Sequence, residues 1–241
     1  MDILTTLRNS FLKFFGDIKI FKFPFFLLYD PGSYKVKGYE IRNIIDTIMK
    51  GDILVRGYAN YLDGYFIPGF FSHAGLYLGK TQKSDMELSI ELEDKFYEGT
   101  QVVMHSMAEG VFMEDIINFC KCDFLLILRR NKRAEPDIDF ESSFKTVYQK
   151  ALECLGKNYD FKFDFSDTGN LSCTEFVYVT NEDFLHRYNV SIKERKIFFG
   201  KKKLLIPDDF VTKEFDIVFS SKSIKNVIIE KILERNNVLV K

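Results

Sequence analysis

The sequence predicts an α+β fold in one compact unit spanning residues 51–241, with residues 1–50 as an N-terminal addition. Three observations carry that expectation. Short apolar runs at 53–57, 72–79, 101–106 and 124–130 are bounded by turn residues and read as strands. Two later stretches, 139–155 and the one beginning at Ser172, place apolar residues at helical spacing. No internal repeat, low-complexity linker or sharp compositional break divides the chain, and 241 residues give ample length for a buried core.

Residues 1–16 read as a helix, and Pro24, Pro31 and Gly32 break the next stretch into loop and extended pieces. Over 38–49, Ile41, Ile44, Ile45 and Ile48 share one helical face, and Gly51-Asp52 turns the chain into the first strand. The aromatic segment 58–70 reads as a loop beside a site, and the charged segment 81–99 as a loop or hairpin. Glu109-Gly110 marks a turn, with a strand end and a short helix expected over 111–119. The helix over 139–155 has Phe144, Val147, Tyr148, Ala151 and Leu155 as its buried stripe and Gly156 as its C-terminal cap. Ser172 followed by Glu175 is a capping-box pattern, and the helix it opens runs to about Leu185. Pro207 opens a further helical turn. Residues 215–219 read as an edge strand and the last twenty residues as mostly helical.

Composition narrows the function. With 46% hydrophobic and 29% charged residues and a net charge of −1, nothing in the overall field favours nucleic acid. Phenylalanine is abundant (26) and tryptophan absent, a bias read as that of an AT-rich genome in preference to a functional aromatic surface. The four cysteines, Cys120, Cys122, Cys154 and Cys173, lack metal-ligand spacing, and four thiols in so long a chain are no disulfide scaffold. Cys120, Cys122 and Cys154 lie in apolar periodic segments and read as packing residues. Lys13, Asp17, Lys19 and Lys22 interrupt the apolar N-terminus, so neither a tidy signal peptide nor a membrane span is expected there. A cytoplasmic protein is expected, with peripheral membrane contact through the aromatic N-terminus as an option.

Cys173 stands apart from the other thiols. Its place in the first turn after Ser172 puts it beside unpaired backbone N–H groups and the positive end of the helix dipole, where a thiolate is stabilised. His73 lies in the strand-like run Ser72-His73-Ala74-Gly75, and His105 in the next strand. If those strands are antiparallel neighbours, both imidazoles leave one face of the sheet. Cysteine with a histidine base, and a third polar group to hold that base in its working tautomer, is a constellation for acyl transfer. His186, near the far end of the Cys173 helix, is expected to take no part. A lone helix cysteine or strand histidine is most often a core residue; the conjunction is what points to chemistry.

The ordered motifs resemble the circularly permuted branch of the NlpC/P60 papain-like cysteine hydrolases, the YiiX-like group. The matching pieces are Gly51-Asp52-Ile53, Ser72-His73-Ala74-Gly75-Leu76-Tyr77, His105 with Gly110-Val111, Gly156-Lys157-Asn158-Tyr159-Asp160, Cys173-Thr174-Glu175-Phe176-Val177 and Pro207 to Phe210. They cover roughly residues 50–220. The resemblance implies a permuted papain-like fold, with a central antiparallel sheet and the nucleophile helix packed on it. It implies Cys173 as nucleophile, His73 as general base and His105 as the third member. That third position is often Glu in such relatives, and Glu109 is the alternative if the register differs. The Cys173 N–H is the expected oxyanion donor, with Tyr58, Tyr61 and Ser72 as weaker candidates around the substrate. No metal or cofactor is implied. The expected reaction is hydrolysis of an amide, a cell-wall peptide included. The alternatives are a lipid acyl hydrolase or acyltransferase using the same residues, and a non-catalytic binding module on the same fold. The expected partner is a peptide or a lipid acyl substrate; the residues do not specify an oligomeric state.

Overall fold

The computed structural model describes residues 34–59, 68–80, 98–131, 133–163, 165, 167–197 and 200–237, together with strand backbone at 19–20 and 27–28. The helix expected over 1–16, the breaks at Pro24, Pro31 and Gly32, Tyr61 and most of the charged stretch 81–99 lie outside the described residues.

Strands β1 (Lys19–Ile20) and β2 (Leu27–Leu28) pair with each other. Helix α1 (Gly38–Thr47) buries Ile44 and Glu40. Glu40 takes the Lys37 N–H at 3.1 Å and, with its other oxygen, the Lys222 N–H at 2.9 Å. The main sheet is six-stranded and antiparallel, built from β3 (Ile53–Gly57), β4 (His73–Lys80), β5 (Gln101–Met107), β6 (Gly110–Asp115), β7 (Phe124–Arg129) and β10 (Asp216–Ser220). Its spatial order is β10-β7-β3-β4-β5-β6. A short helix, α2 (Ile116–Phe119), capped by Asp115, comes after β6.

Strand alternation sorts the core into two layers. On one face Ile53, Val55, Ala74, Leu76, Val102, Met104, Leu126 and Leu128 pack against helices α3 (Phe140–Cys154) and α4 (Cys173–Leu185). On the other, Leu54, Tyr77, Val103, Leu125 and Ile127 meet Ile44 of α1 and Phe119 of α2. Burying one such aliphatic side chain contributes about 1.5–3 kcal/mol, so both layers stabilise the sheet substantially. Cys120 and Cys122 belong to the second layer and Cys154 to the first, all three as buried free thiols.

Helix α3 buries Phe144, Val147 and Ala151 as its spacing predicts, while Tyr148 and Leu155 stay half-buried. Gly156 comes just after it at φ +78°, the left-handed conformation that lets a helix end. Gly110, in the β5–β6 turn, has φ +110°, and a Cβ there would lie 2.3 Å from the Lys157 carbonyl oxygen. Only glycine lets β6 approach that segment, where the Val111 N–H donates to the Lys157 carbonyl at 2.8 Å.

One element escapes the sequence patterns: the hairpin of β8 (Lys193–Ile197) and β9 (Gly200–Leu204). Its strands, KERKI and GKKKL, carry charge at most positions and so lack the apolar alternation that marks a half-buried strand. Pro207–Phe210 is a short 3-10 turn, and α5 (Asn226–Asn237) closes the chain's described part. No helix among the described residues is long and apolar enough to cross a membrane.

Candidate active site

Helix α4 begins where its sequence predicts. Ser172 is the N-cap, its hydroxyl accepts the Glu175 N–H at 3.4 Å, and a Glu175 carboxylate oxygen accepts the Ser172 N–H at 2.7 Å. Residues 173, 176, 177, 180, 181, 184 and 185 are all buried, a stripe at helical spacing that seats the helix on the sheet. Two further bonds fix the segment entering the helix. The Leu171 N–H donates to the Asn158 carbonyl, which gives the Gly156–Asp160 motif a structural task, and the Ser106 hydroxyl donates to the Leu171 carbonyl.

The sulfur lands at a gap in the sheet. Pairing between β4 and β5 stops at Gly75–His105, although β4 begins two residues earlier and β5 runs on to Met107. The Ala74 amide, left unpaired with β5, and the Thr174 amide are the two backbone N–H groups that favour the charged form of the Cys173 thiol. The thiol therefore lies near the peptide that joins His73 to Ala74.

Both predicted histidines leave the same face of the sheet. His73 stands diagonally across from His105, because Gly75 is the residue opposite His105. Their rings meet edge to face, with His73 Nε2 2.9 Å from His105 Nδ1. Gly75 lies between them and leaves room for Phe119, whose ring packs 5.8 Å from His73 and 5.2 Å from His105. The entry to β4 is pinned from outside the sheet: Asp208, in the Pro207–Phe210 turn, accepts the N–H groups of Phe70 and Phe71 and pairs with Arg235 at 2.9 Å.

Electrostatics at Cys173 differ from what the sequence predicts. A helix start by itself favours a thiolate. Burial instead dominates and pushes the Cys173 thiol up to about 11, with the Ala74 and Thr174 amides opposing it. Burial also holds His73 well below its ordinary 6.5, helped by Arg56 and by His105. His105 is lowered by the same burial, against an upward pull from Glu114. At neutral pH both groups thus rest neutral, Cys173 as a thiol and His73 as an imidazole.

Three residues of this cluster are not predicted by the sequence patterns. A carboxylate does reach the histidines, but it is Glu114 of β6 and not Glu109, which is exposed in the β5–β6 turn. Glu114 Oε2 lies 3.2 Å from His105 Nε2, though off the line of the ring N–H. Arg56, buried opposite His73, stacks on Phe119 at 4.2 Å, donates to the Phe119 carbonyl at 2.9 Å and reaches Glu114 at 3.5 Å. Asp208 is the third. A charged residue at a strand position that should be buried is the available signal for Arg56, in Ile53-Leu54-Val55-Arg56-Gly57. Of the weaker candidates, Tyr58 packs near Arg56 and Tyr34 on the histidine side, 5.7 and 6.4 Å away. Ser72 is buried with a hydroxyl that has no hydrogen-bond partner among the described residues. His186 lies just past α4 in an exposed turn, remote from this cluster.

A buried cysteine at a helix start, set against a histidine-bearing antiparallel sheet, defines a papain-like cysteine hydrolase. The profile of the permuted papain-like amidase enzymes, the YaeF/YiiX family Peptidase_C92, matches residues 47–233, and the chain belongs to that family. It is therefore a cysteine hydrolase of the amidase type; the family is narrower than the NlpC/P60 group that the motifs resemble. No curated protein matches the chain. Among solved structures it is similar to yiiX from Escherichia coli O157:H7, described as a metalloprotein, at 17% identity and TM-score 0.42, covering 78% of this chain and 81% of that one. Among the described residues of this chain, no group of three His, Cys, Asp or Glu is placed to hold a metal ion.

Proposed function

We propose that the protein hydrolyses an amide bond of a peptide substrate through an acyl-enzyme on Cys173, with His73 as general base and His105 as its orienting partner. The observation that carries this reading is the His73–His105 contact at 2.9 Å on a strand whose Ala74 amide, directly after His73, acts on the Cys173 thiol. That contact engages His73 Nε2 and leaves Nδ1 as the nitrogen for the thiol. Because both groups rest neutral, activation is proton transfer during attack and not a standing ion pair. Nδ1 takes the thiol proton as Sγ bonds to the carbonyl carbon. The C–N bond then breaks, and the imidazolium gives that proton to the departing amine. Water attacks the thioester with His73 again as base, releasing the acid and restoring the thiol. The Cys173 N–H, in the first turn of α4, has no carbonyl acceptor among the described residues and is the donor offered to the oxyanion.

Peptide amides and long-chain acyl esters, offered with and without an amine acceptor, test the reading on the wild type and on Cys173→Ala and His73→Ala. Amide turnover lost in both variants is the expected result. Full turnover by Cys173→Ala would overturn the nucleophile, and ester cleavage or acyl transfer without amide cleavage would move the chemistry to lipids.

A further inference from the structure

We infer that Glu114, held by Arg56, is a positioning residue that sets the tautomers of His105 and His73 and so leaves a lone pair on His73 Nδ1. The inference rests on the proposed role of His73 and extends it by two residues. Its basis is a chain of contacts on one face of the sheet. Glu114 Oε2 lies 3.2 Å from His105 Nε2, and His105 Nδ1 lies 2.9 Å from His73 Nε2. The cross-strand register makes both contacts diagonal neighbours: Gly75 is opposite His105, and Val103 is opposite Glu114.

Two neutral imidazoles that share one contact carry one proton between the facing nitrogens, and either ring can supply it. A carboxylate only accepts. Glu114 therefore selects the form of His105 with its proton on Nε2 and its lone pair on Nδ1. His73 must then donate from Nε2, and its own lone pair falls on Nδ1. The reverse arrangement would put a proton on His73 Nδ1, where it could not receive one from a thiol. The scheme needs Glu114 ionised. Burial opposes ionisation, but His105 and Arg56 together bring its carboxyl down to about 2. Arg56 is itself fixed by the Phe119 carbonyl and ring, so the carboxylate has a rigid counterion. That counterion also opposes protonation of His73 and His105, so the carboxylate orients the rings without charging them.

The test is nitrogen NMR of histidine-labelled protein near neutral pH. The chain has three histidines, and a His186→Gln variant removes the one outside the cluster, so His73 and His105 can be assigned. Both are expected to carry their proton on Nε2 in the wild type. Glu114→Gln, whose amide can donate as well as accept, is expected to bring in the Nδ1–H form of His105 and to lower kcat by about tenfold or more at unchanged KM. A wild-type His105 with its proton on Nδ1 would overturn the inference even if no Glu114 variant folds. So would a Glu114→Gln protein with unchanged tautomers and kcat within twofold. The tautomer readout needs no turnover, so it stands apart from the nucleophile's test: an active Cys173→Ala protein would overturn the thiol reading and leave the tautomer question to the spectrum.

Discussion

The two faces of the central sheet are built on different terms. The face under α3 and α4 is almost wholly hydrocarbon: Ile53, Val55, Leu76, Met104, Phe176 and Val177 fill it. The opposite face has a comparable apolar layer at one end, but at the other it buries Arg56, His73 and His105 and half-buries Glu114. Packing explains the strand residues of the first face. It cannot explain the second, because burying charged and polar groups costs stability unless each finds a partner. There the groups form a connected chain, Arg56 to Glu114, Glu114 to His105 and His105 to His73. A costly arrangement at the point where β4 and β5 part is what a site looks like when it is built into a fold.

The comparison can be broken first at the sulfur. Cys173→Ala is expected to lower amide turnover by about a thousandfold or more while leaving the melting temperature near that of the wild type, since only one sulfur is lost. Steady-state hydrolysis and a thermal melt on the same sample check both halves. A large loss of stability with modest loss of rate would put Cys173 with the packing residues.

The hydrocarbon face should give the opposite pattern. Phe176 is fully buried, and Phe176→Ala is expected to cost about 3–5 kcal/mol in urea unfolding. Ser172→Ala removes the hydroxyl that caps α4 and should cost about 1 kcal/mol. It should also lower kcat more than that loss implies, because the same cap sets where Sγ sits. The exposed pair Lys150–Asp183, at 2.8 Å, marks the small end of the scale, with an expected change below about 1 kcal/mol in a double-mutant cycle.

Acidity separates the faces too. As the proposed base His73 works only when neutral, and burial holds its pKa well below 6.5. The acid limb of kcat/KM is therefore expected below 6.5, and activity should persist through mildly acidic buffers. In alkali the sign reverses for stability. Cys120, Cys122 and Cys173 all have folded pKa values raised by burial above their ordinary 9.0. The unfolded chain gives up those protons first, so their contribution is complete below about pH 9 and is lost as pH rises from there towards the folded values. Unfolding midpoints measured across that range should fall.

Much of the fold and of the site is legible in the amino-acid sequence. The Ser172–Glu175 capping box, the α3 stripe and the strands bearing His73 and His105 come from periodicity and turn chemistry, because those signals are local. Cys173 and the two histidines sit in the same local motifs. The hidden part depends on register. Glu114 reaches His105 only because Phe112 falls opposite it, and one residue of slip would turn the carboxylate to the other face. Asp208 serves the Phe70 and Phe71 amides 138 and 137 positions upstream, a contact no spacing rule announces. The thiol's raised pKa is hidden for a related reason: a helix start argues for a thiolate, but the depth of the gap in the sheet, and not the helix, decides.

The most direct measurement is the mass of the enzyme itself after rapid acid quenching during turnover of an N-acyl amide. The account predicts an added acyl group mapping to the peptide that contains Cys173, absent from Cys173→Ala and strongly reduced in His73→Ala. An acyl group carried elsewhere, or full hydrolysis by an enzyme that never gains mass, would contradict it.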